Sequence, residues 1–178
     1  MDGSTGDDRA IAAIRETIGR ARTRLTEAGA RDEALAELVP ARRVMLITRE
    51  ATMVPVARVW RLGVLLLGTT DGLWATGSIT RSQEPGRATY QSESAERRRG
   101  YRAAAYRGRF PAGATVNFDA PPIELDAAAL AASAGPLVLD GGSALVRWNA
   151  TMGPEAALPL GEYLDDRVGL LVNPPEGA

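Results

Sequence analysis

The chain contains no cysteine, no histidine and no lysine, and aromatic side chains make up only 5% of its 178 residues. Each absence removes a class of chemistry. Without cysteine there are no disulfides, thiol nucleophiles or iron–sulfur clusters, and without cysteine or histidine there is no zinc finger. Without histidine no serine- or cysteine-based triad of the usual kind can form. Without lysine there is neither Schiff-base chemistry nor a Walker-type phosphate loop. Carboxylates, arginine, tyrosine and hydroxyls remain. This inventory leans away from an enzyme, and it implies no cofactor and no bound metal.

Long apolar runs are also missing. The longest aliphatic stretch, Val64 to Leu67, is far too short to cross a bilayer. Met1 is followed by Asp2-Gly3-Ser4-Thr5-Gly6-Asp7-Asp8, acidic where an export signal is basic and then apolar. The expectation is a soluble, cytoplasmic protein. Asn149-Ala150-Thr151 matches a glycosylation sequon, which carries no weight without secretion. The length suits one domain, and a hydrophobic share of 45% is enough for a real core.

All 21 basic residues are therefore arginine, against 22 acidic ones. Together with abundant alanine and glycine, this usage resembles the codon bias of a GC-rich bacterial genome. The choice of Arg over Lys is thus no evidence for a forked ligand contact. The overall charge of −1 hides a strong polarity. Residues 1–40 carry a net −2, residues 41–113 a net +8 and residues 114–178 a net −7. Such asymmetry fits either a basic face for an anionic partner or two regions whose charges lie side by side in the fold.

Hydrophobic periodicity places the elements. Ile11, Ile14, Ile18, Ala21, Leu25 and Ala28 recur every three or four residues, so residues 7–28 are predicted to form an amphipathic helix with Asp7 or Asp8 as its cap. The same spacing offers a homodimer seam through Ile11, Ile14, Ile18 and Leu25. Residues 31–39 read as a second short helix, with Leu35 and Leu38 inward, ending before Pro40. Val44 to Ile47 and Met53 to Trp60 read as strands. Gly63 to Leu67 and Leu73 to Ile79 flank an Asp71-Gly72 turn, the clearest hairpin signal in the chain. A polar loop leads to a predicted helix from Ser92 or Ser94 to about Arg107, stopped by Gly108 and Pro111. Thr115 to Phe118 is a strand, Pro121-Pro122 an edge or corner, and Asp126 caps an Ala-rich helical turn. Leu137–Leu139 and Ala144–Trp148 form a second hairpin around Asp140-Gly141-Gly142. Leu160, Leu164, Val168 and Leu171 mark a last helix over 159–172.

The sum is an α+β fold. It has a bent, mostly antiparallel sheet of about six or seven strands, N-terminal helices, a helical insertion and a C-terminal helix. The expected organisation is an N-terminal helical segment, 1–40, packed on a single α+β domain, 41–178, with the insertion at 80–113. The order of elements over residues 53–172 resembles a bacterial pleckstrin-homology-like or GRAM-like domain, in which a bent antiparallel sheet is closed by one C-terminal helix. The N-terminal helices and the insertion depart from that pattern. The chain as a whole also resembles an uncharacterised family of GC-rich Gram-positive bacteria, a likeness that implies no function.

The sharpest feature is the run from Arg97 to Arg109, with six arginines and two tyrosines in thirteen residues. Arg97, Arg98, Arg99, Tyr101, Arg102, Tyr106, Arg107 and Arg109 are the candidate ligand-binding residues. On a helix Arg98 or Arg99 shares a face with Arg102 and Tyr106. Guanidinium groups hold phosphate oxygens bidentately and tyrosine rings stack on bases. A solvated helix paired with the acidic C-terminal third, with Tyr101 or Tyr106 packed inward, accounts for the same residues. Glu162, Asp165 and Asp166 on the last helix could gather a hard cation, but a plain polar face explains them as well. Trp60, Trp74 and Trp148 all fall in strands, as core or sheet-face residues. The leading reading is a non-enzymatic binding or scaffolding module for a protein partner or an anionic ligand. The alternative is a nucleic-acid- or phosphate-binding protein acting through residues 97–109.

Overall fold

The computed structural model describes residues 3–44, 47–86, 92–149 and 156–174. Met45 and Leu46 of the apolar run, and Ala150 and Thr151 of the sequon, lie outside them. The elements run α1 (Gly3–Glu27), β1 (Glu33–Val39), β2 (Arg42–Val44), β3 (Ile47–Arg49), β4 (Thr52–Leu62), β5 (Leu65–Gly68), β6 (Leu73–Ala75) and β7 (Ser78–Arg81). They continue with α2 (Glu93–Arg107), β8 (Thr115–Phe118), α3 (Ala127–Ala131), β9 (Leu137–Asp140), β10 (Ser143–Val146), β11 (Leu158–Pro159) and α4 (Leu160–Val172). Hydrogen bonding orders six strands as β6-β5-β4-β1-β8-β7, with small sheets β11-β10-β9 and β2-β3. β1 and β8 are parallel, and the other registers are antiparallel. The fold is α+β, with one helix at each end and a third between β7 and β8. No helix among the described residues is long and apolar enough to cross a membrane.

The chain divides into two compact units. The first comprises residues 1–31, 60–75 and 121–178. Its core joins Ile11, Ile14, Ile18, Ala21 and Leu25 of α1 to Leu62, Leu65, Leu67 and to Tyr163, Leu164 and Val168 of α4. The face of α1 that offered a dimer seam is thus covered by the chain's own residues. α1 starts at Gly3, so Asp7 and Asp8 lie inside the helix and do not cap it. Gly63 turns the chain at φ +62°. The Tyr163 hydroxyl bridges this turn, accepting from the Val64 N–H at 2.8 Å and donating to the Leu62 carbonyl at 2.9 Å. A Cβ at Gly63 would lie 2.2 Å from that hydroxyl. Asp126 caps α3 as expected, its Oδ1 accepting from the Ala129 N–H at 2.9 Å. Trp60 is buried, with Nε1 donating to the Ala30 carbonyl at 2.9 Å, and Trp74 is half-buried on β6. Trp148 corrects the expectation for it: β10 ends at Val146 and the indole is exposed.

Residues 32–59 and 76–120 form the second unit. Here the sequence reading of 31–39 as a helix fails, for a physical reason. Glu33–Val39 is a central strand, paired antiparallel with β4 and parallel with β8. Ala34, Leu35 and Ala36 are all buried. A strand buried on both faces loses the polar alternation that marks strands, and Ala, Leu and Glu favour helix when nothing else decides. Tertiary pairing overrides that preference.

The strand read over Leu73–Ile79 also divides. β6 stops at Ala75, whose N–H bonds the Pro121 carbonyl at 2.9 Å. Gly77 then runs so close to the Asp119 backbone that a Cβ would sit 2.1 Å from its carbonyl oxygen. The chain re-enters pairing as β7, against β8. α2 begins after Ser92 and ends at Gly108, close to the expected bounds. Ala103, Ala104 and Ala105 bury its inner face, so the helix axis can approach the sheet closely. At Gly108 a Cβ would fall 2.0 Å from the Met53 carbonyl oxygen.

Candidate ligand-binding cleft

The second unit holds a cleft of about 620 Å³ beside edge strand β7, lined by Glu33, Ile79, Thr80, Arg81, Gln83, Arg98, Tyr101, Arg102 and Thr115. A neighbouring hollow of about 350 Å³ shares Gln83, Arg98 and Arg102 with it and adds Glu84, Pro85, Gly86, Ala95 and Arg99. Two elements supply the cations. On α2, Arg98, Tyr101 and Arg102 stand at helix positions i, i+3 and i+4, one face of the helix. On β7, Arg81 pairs across with Thr115 of β8. Since Ala34 is in register with Val116, Glu33 continues the same row, giving Glu33–Thr115–Arg81 across three strands.

The arginines of this region differ in their partners. Arg97 bonds Glu93 at 3.3 Å and Arg99 bonds Glu96 at 3.3 Å, both on their own helix. The other terminal nitrogen of Arg99 is buried without a partner. Arg107 Nε donates to the Ala51 carbonyl at 2.7 Å, tying the helix end to the chain before β4. Arg102 reaches the Gln83 side chain at 3.5 Å, a weak contact, while its carbonyl accepts from the Gln83 N–H at 3.3 Å. Among the described residues the side chains of Arg81 and Arg98 make no ion pair and no hydrogen bond, and both are exposed.

The eight residues expected from sequence thus divide. Arg98, Tyr101 and Arg102 meet in the cleft, and Arg99 lines the smaller hollow. Arg97, Tyr106, Arg107 and Arg109 line neither. Tyr106 is 37% exposed, and Arg109 takes a positive φ of 64° just past the helix. Tyr101 is half-buried, its ring 4.8 Å from that of Phe118 and tilted by 54°. That packing commits the ring to the core on one side, while Tyr101 also lines the cleft.

Three residues that sequence reasoning missed complete the site. Asn117 is wholly buried in β8. Its Nδ2 donates to Glu33 Oε2 at 2.8 Å and to the Ala34 carbonyl at 3.1 Å. A buried amide is costly unless bonded, so Asn117 anchors the Glu33 carboxylate at the cleft. Neither was legible: Glu33 fell in a segment read as helix, and Asn117 occupied a position that strand alternation assigns to solvent. Arg81 lay in what read as a loop. Nearby, Arg58 clamps the Asp32 carboxylate through two bonds, Nη2–Oδ1 at 2.6 Å and Nε–Oδ2 at 3.0 Å, and donates a third to the Asp32 carbonyl at 3.0 Å. The bond to Arg58 holds the Asp32 carboxyl below the usual carboxylate range, and the same bond raises Arg58. Arg58 is therefore occupied.

The proposed acidic cluster of α4 is spoken for by arginines, Asp165 by Arg24 and Asp166 by Arg167. Among the described residues no group of three or more acidic side chains is placed to hold a metal ion. No family model, curated protein or solved structure matches the chain.

Proposed function

We propose that the chain is a non-enzymatic binding module that takes a small anionic ligand, carrying a phosphate or carboxylate group, in the cleft beside β7. One observation carries this reading: guanidinium groups from a helix and from a strand converge on one cleft, and two of them have no counterion among the described residues. Elsewhere in the same unit Arg58, Arg97 and Arg99 each have a carboxylate. An arginine fork left unpaired beside a cavity is suited to bidentate capture of an oxyanion. Arg98 and Arg102 supply the charge from the helix, Arg81 supplies it from the strand, and Tyr101 and Thr115 offer hydroxyls.

The nucleic-acid reading draws less support, because Tyr101 packs on Phe118 and half of the arginines of the run are tied within the unit. Titration with inorganic phosphate, followed by ¹H–¹⁵N NMR, tests the proposal. Shifts centred on residues 79–83, 98–102 and 115, lost in Arg98→Ala/Arg102→Ala with the remaining spectrum unchanged, support it. Retained phosphate binding in the double variant contradicts it. Tight, salt-sensitive binding of an oligonucleotide with no response to phosphate would favour the alternative.

A further inference from the structure

The cleft and the smaller hollow beside it are not independent. They share Gln83, Arg98 and Arg102, and each has one guanidinium of its own, Arg81 in the cleft and Arg99 in the hollow. Arg98 and Arg102 stand one turn apart on α2, so the pair forms a wall common to both. Among the described residues the Arg98 side chain spends none of its donors within the chain, and a guanidinium has enough of them to serve an oxyanion on either side. Gln83 is held against this wall by its N–H on the Arg102 carbonyl.

The Arg99 guanidinium is only half satisfied. One terminal nitrogen reaches Glu96 at 3.3 Å, and the other, Nη1, is buried without a hydrogen-bond partner. A buried donor with no acceptor is costly and rare in folded chains. The side chain nevertheless stays 34% exposed and lines the hollow. A turn of the guanidinium that trades the long Glu96 contact for an oxyanion in the hollow would satisfy it. A single oxyanion cannot serve both ends. Centred among Arg81, Arg98 and Arg102 it leaves Arg99 as it is, and centred on Arg99 it leaves Arg81 bare. Two joined oxyanions, one on each side of the shared wall, engage all four. The four groups approach from a strand and from two flanks of a helix. A tetrahedral phosphoryl group presents its oxygens in several directions, whereas a carboxylate presents both in one plane. Each hollow also has a carboxylate on its wall, Glu33 bonded by Asn117 in the cleft and the exposed Glu84 in the smaller one, and three arginines outweigh it in each.

We infer that the cleft and the hollow together form one site for a diphosphate, one phosphoryl group lying among Arg81, Arg98 and Arg102 and the other among Arg98, Arg99 and Arg102. This rests on the anion-binding reading above and sharpens it to a ligand class.

The test compares inorganic phosphate with pyrophosphate by calorimetry in magnesium-free buffer. Pyrophosphate is expected to bind about tenfold tighter, the size of one further charge-assisted contact. Its shifts in ¹H–¹⁵N spectra should extend to residues 84, 86 and 95, which inorganic phosphate leaves unmoved. Arg99→Ala should bring the two affinities within about twofold while inorganic phosphate binds as it does to the native chain. Arg97→Ala removes an equal charge from the same helix but lines neither hollow, and it should leave the difference intact. Equal affinity of the two probes for the native chain, with both lost in Arg98→Ala/Arg102→Ala, overturns the diphosphate and leaves the anion site standing. An advantage that Arg99→Ala lowers no more than Arg97→Ala does reports only the greater charge of pyrophosphate, and it overturns the diphosphate too. Binding of neither probe overturns both readings. The comparison on the native chain and its shift map decide the matter even if Arg99→Ala fails to fold, which a thermal melt checks. ADP separates two sources of the same chemistry. Binding as tight as that of pyrophosphate assigns the diphosphate end of a larger molecule, and much weaker binding assigns the free ion, either supporting the class.

Discussion

The two compact units differ in what they are made of. Among the described residues the core cluster of the first joins nineteen buried residues, most of them Leu, Ile, Val or aromatic, whereas that of the second joins eight, four of which are alanine. The first carries 9 arginines against 14 acids, and the second 12 against 8. One unit is rich in apolar burial and acidic; the other is thinly packed and basic, and it holds the cleft. Apolar burial stabilises by roughly 25 cal/mol per Å², so the first unit holds the larger share of that term. Small side chains under α2 bring the helix close to the sheet, which sets Arg98 and Arg102 beside β7. The same smallness leaves the second unit with little stability in reserve. Binding surfaces are commonly drawn from regions of this kind.

Removing the largest fully buried side chain of the thin core should break the comparison most visibly. Phe118→Ala is expected to cost about 3–5 kcal/mol, and it removes the support of Tyr101. Hydrogen exchange should show amides of β1, β7 and β8 losing protection well before those of α1 and α4. Equal loss in both units would show that they unfold as one and that the contrast in packing has no energetic meaning.

Tyr163→Phe probes the other unit. It leaves the ring buried but removes the hydroxyl that serves both Leu62 and Val64. A loss of about 1–3 kcal/mol in chemical denaturation is expected, with no effect on binding in the cleft. An unchanged midpoint would show that water replaces the bridge at no cost.

A smaller effect separates pH response from packing. Asp32 has a lowered pKa in the fold, so its contribution is present above the unfolded value of about 3.9 and is lost as pH falls through the folded value. The pair is exposed enough to be screened, and Asp32→Asn should cost about 0.5–1 kcal/mol near neutral pH. Its stability should also fall less steeply than that of the native chain between about pH 5 and pH 2. Parallel curves would remove Arg58 as the cause. Smallest of all, Arg97→Ala should change stability by no more than about 0.5 kcal/mol and leave phosphate binding intact, since its partner Glu93 lies on the same exposed helix face. A large loss of binding would place Arg97 in the site after all.

Periodicity served well where an element has one buried face. The stripe of Ile11, Ile14, Ile18 and Leu25 marked α1, and the spacing of Leu160, Leu164 and Val168 marked α4. Punctuation served where side-chain chemistry acts locally, as at Asp126, the Asp71-Gly72 turn and Gly108. It failed where pairing partners lie far away in sequence. Nothing within 31–39 announces that β8, some eighty residues later, will lie alongside, and so the strand and Glu33 with it were invisible. The Arg/Tyr run drew attention by composition, yet composition could not say that Tyr101 packs on Phe118 or that Arg97 and Arg99 are engaged by glutamates. Nor could it reveal Arg81, which joins the others only because β7 pairs with β8. The candidate site was therefore half legible: the residues local to one helix were readable, and those delivered by the sheet were not.

The most direct test of the account is the response of every backbone amide to inorganic phosphate. The account predicts saturable shifts confined to the second unit and centred on Arg81, Arg98, Tyr101, Arg102 and Thr115, abolished by Arg98→Ala/Arg102→Ala. Shifts scattered over all exposed arginines of both units, growing linearly without saturation, would show that the cleft is only one patch of a charged surface and would contradict it.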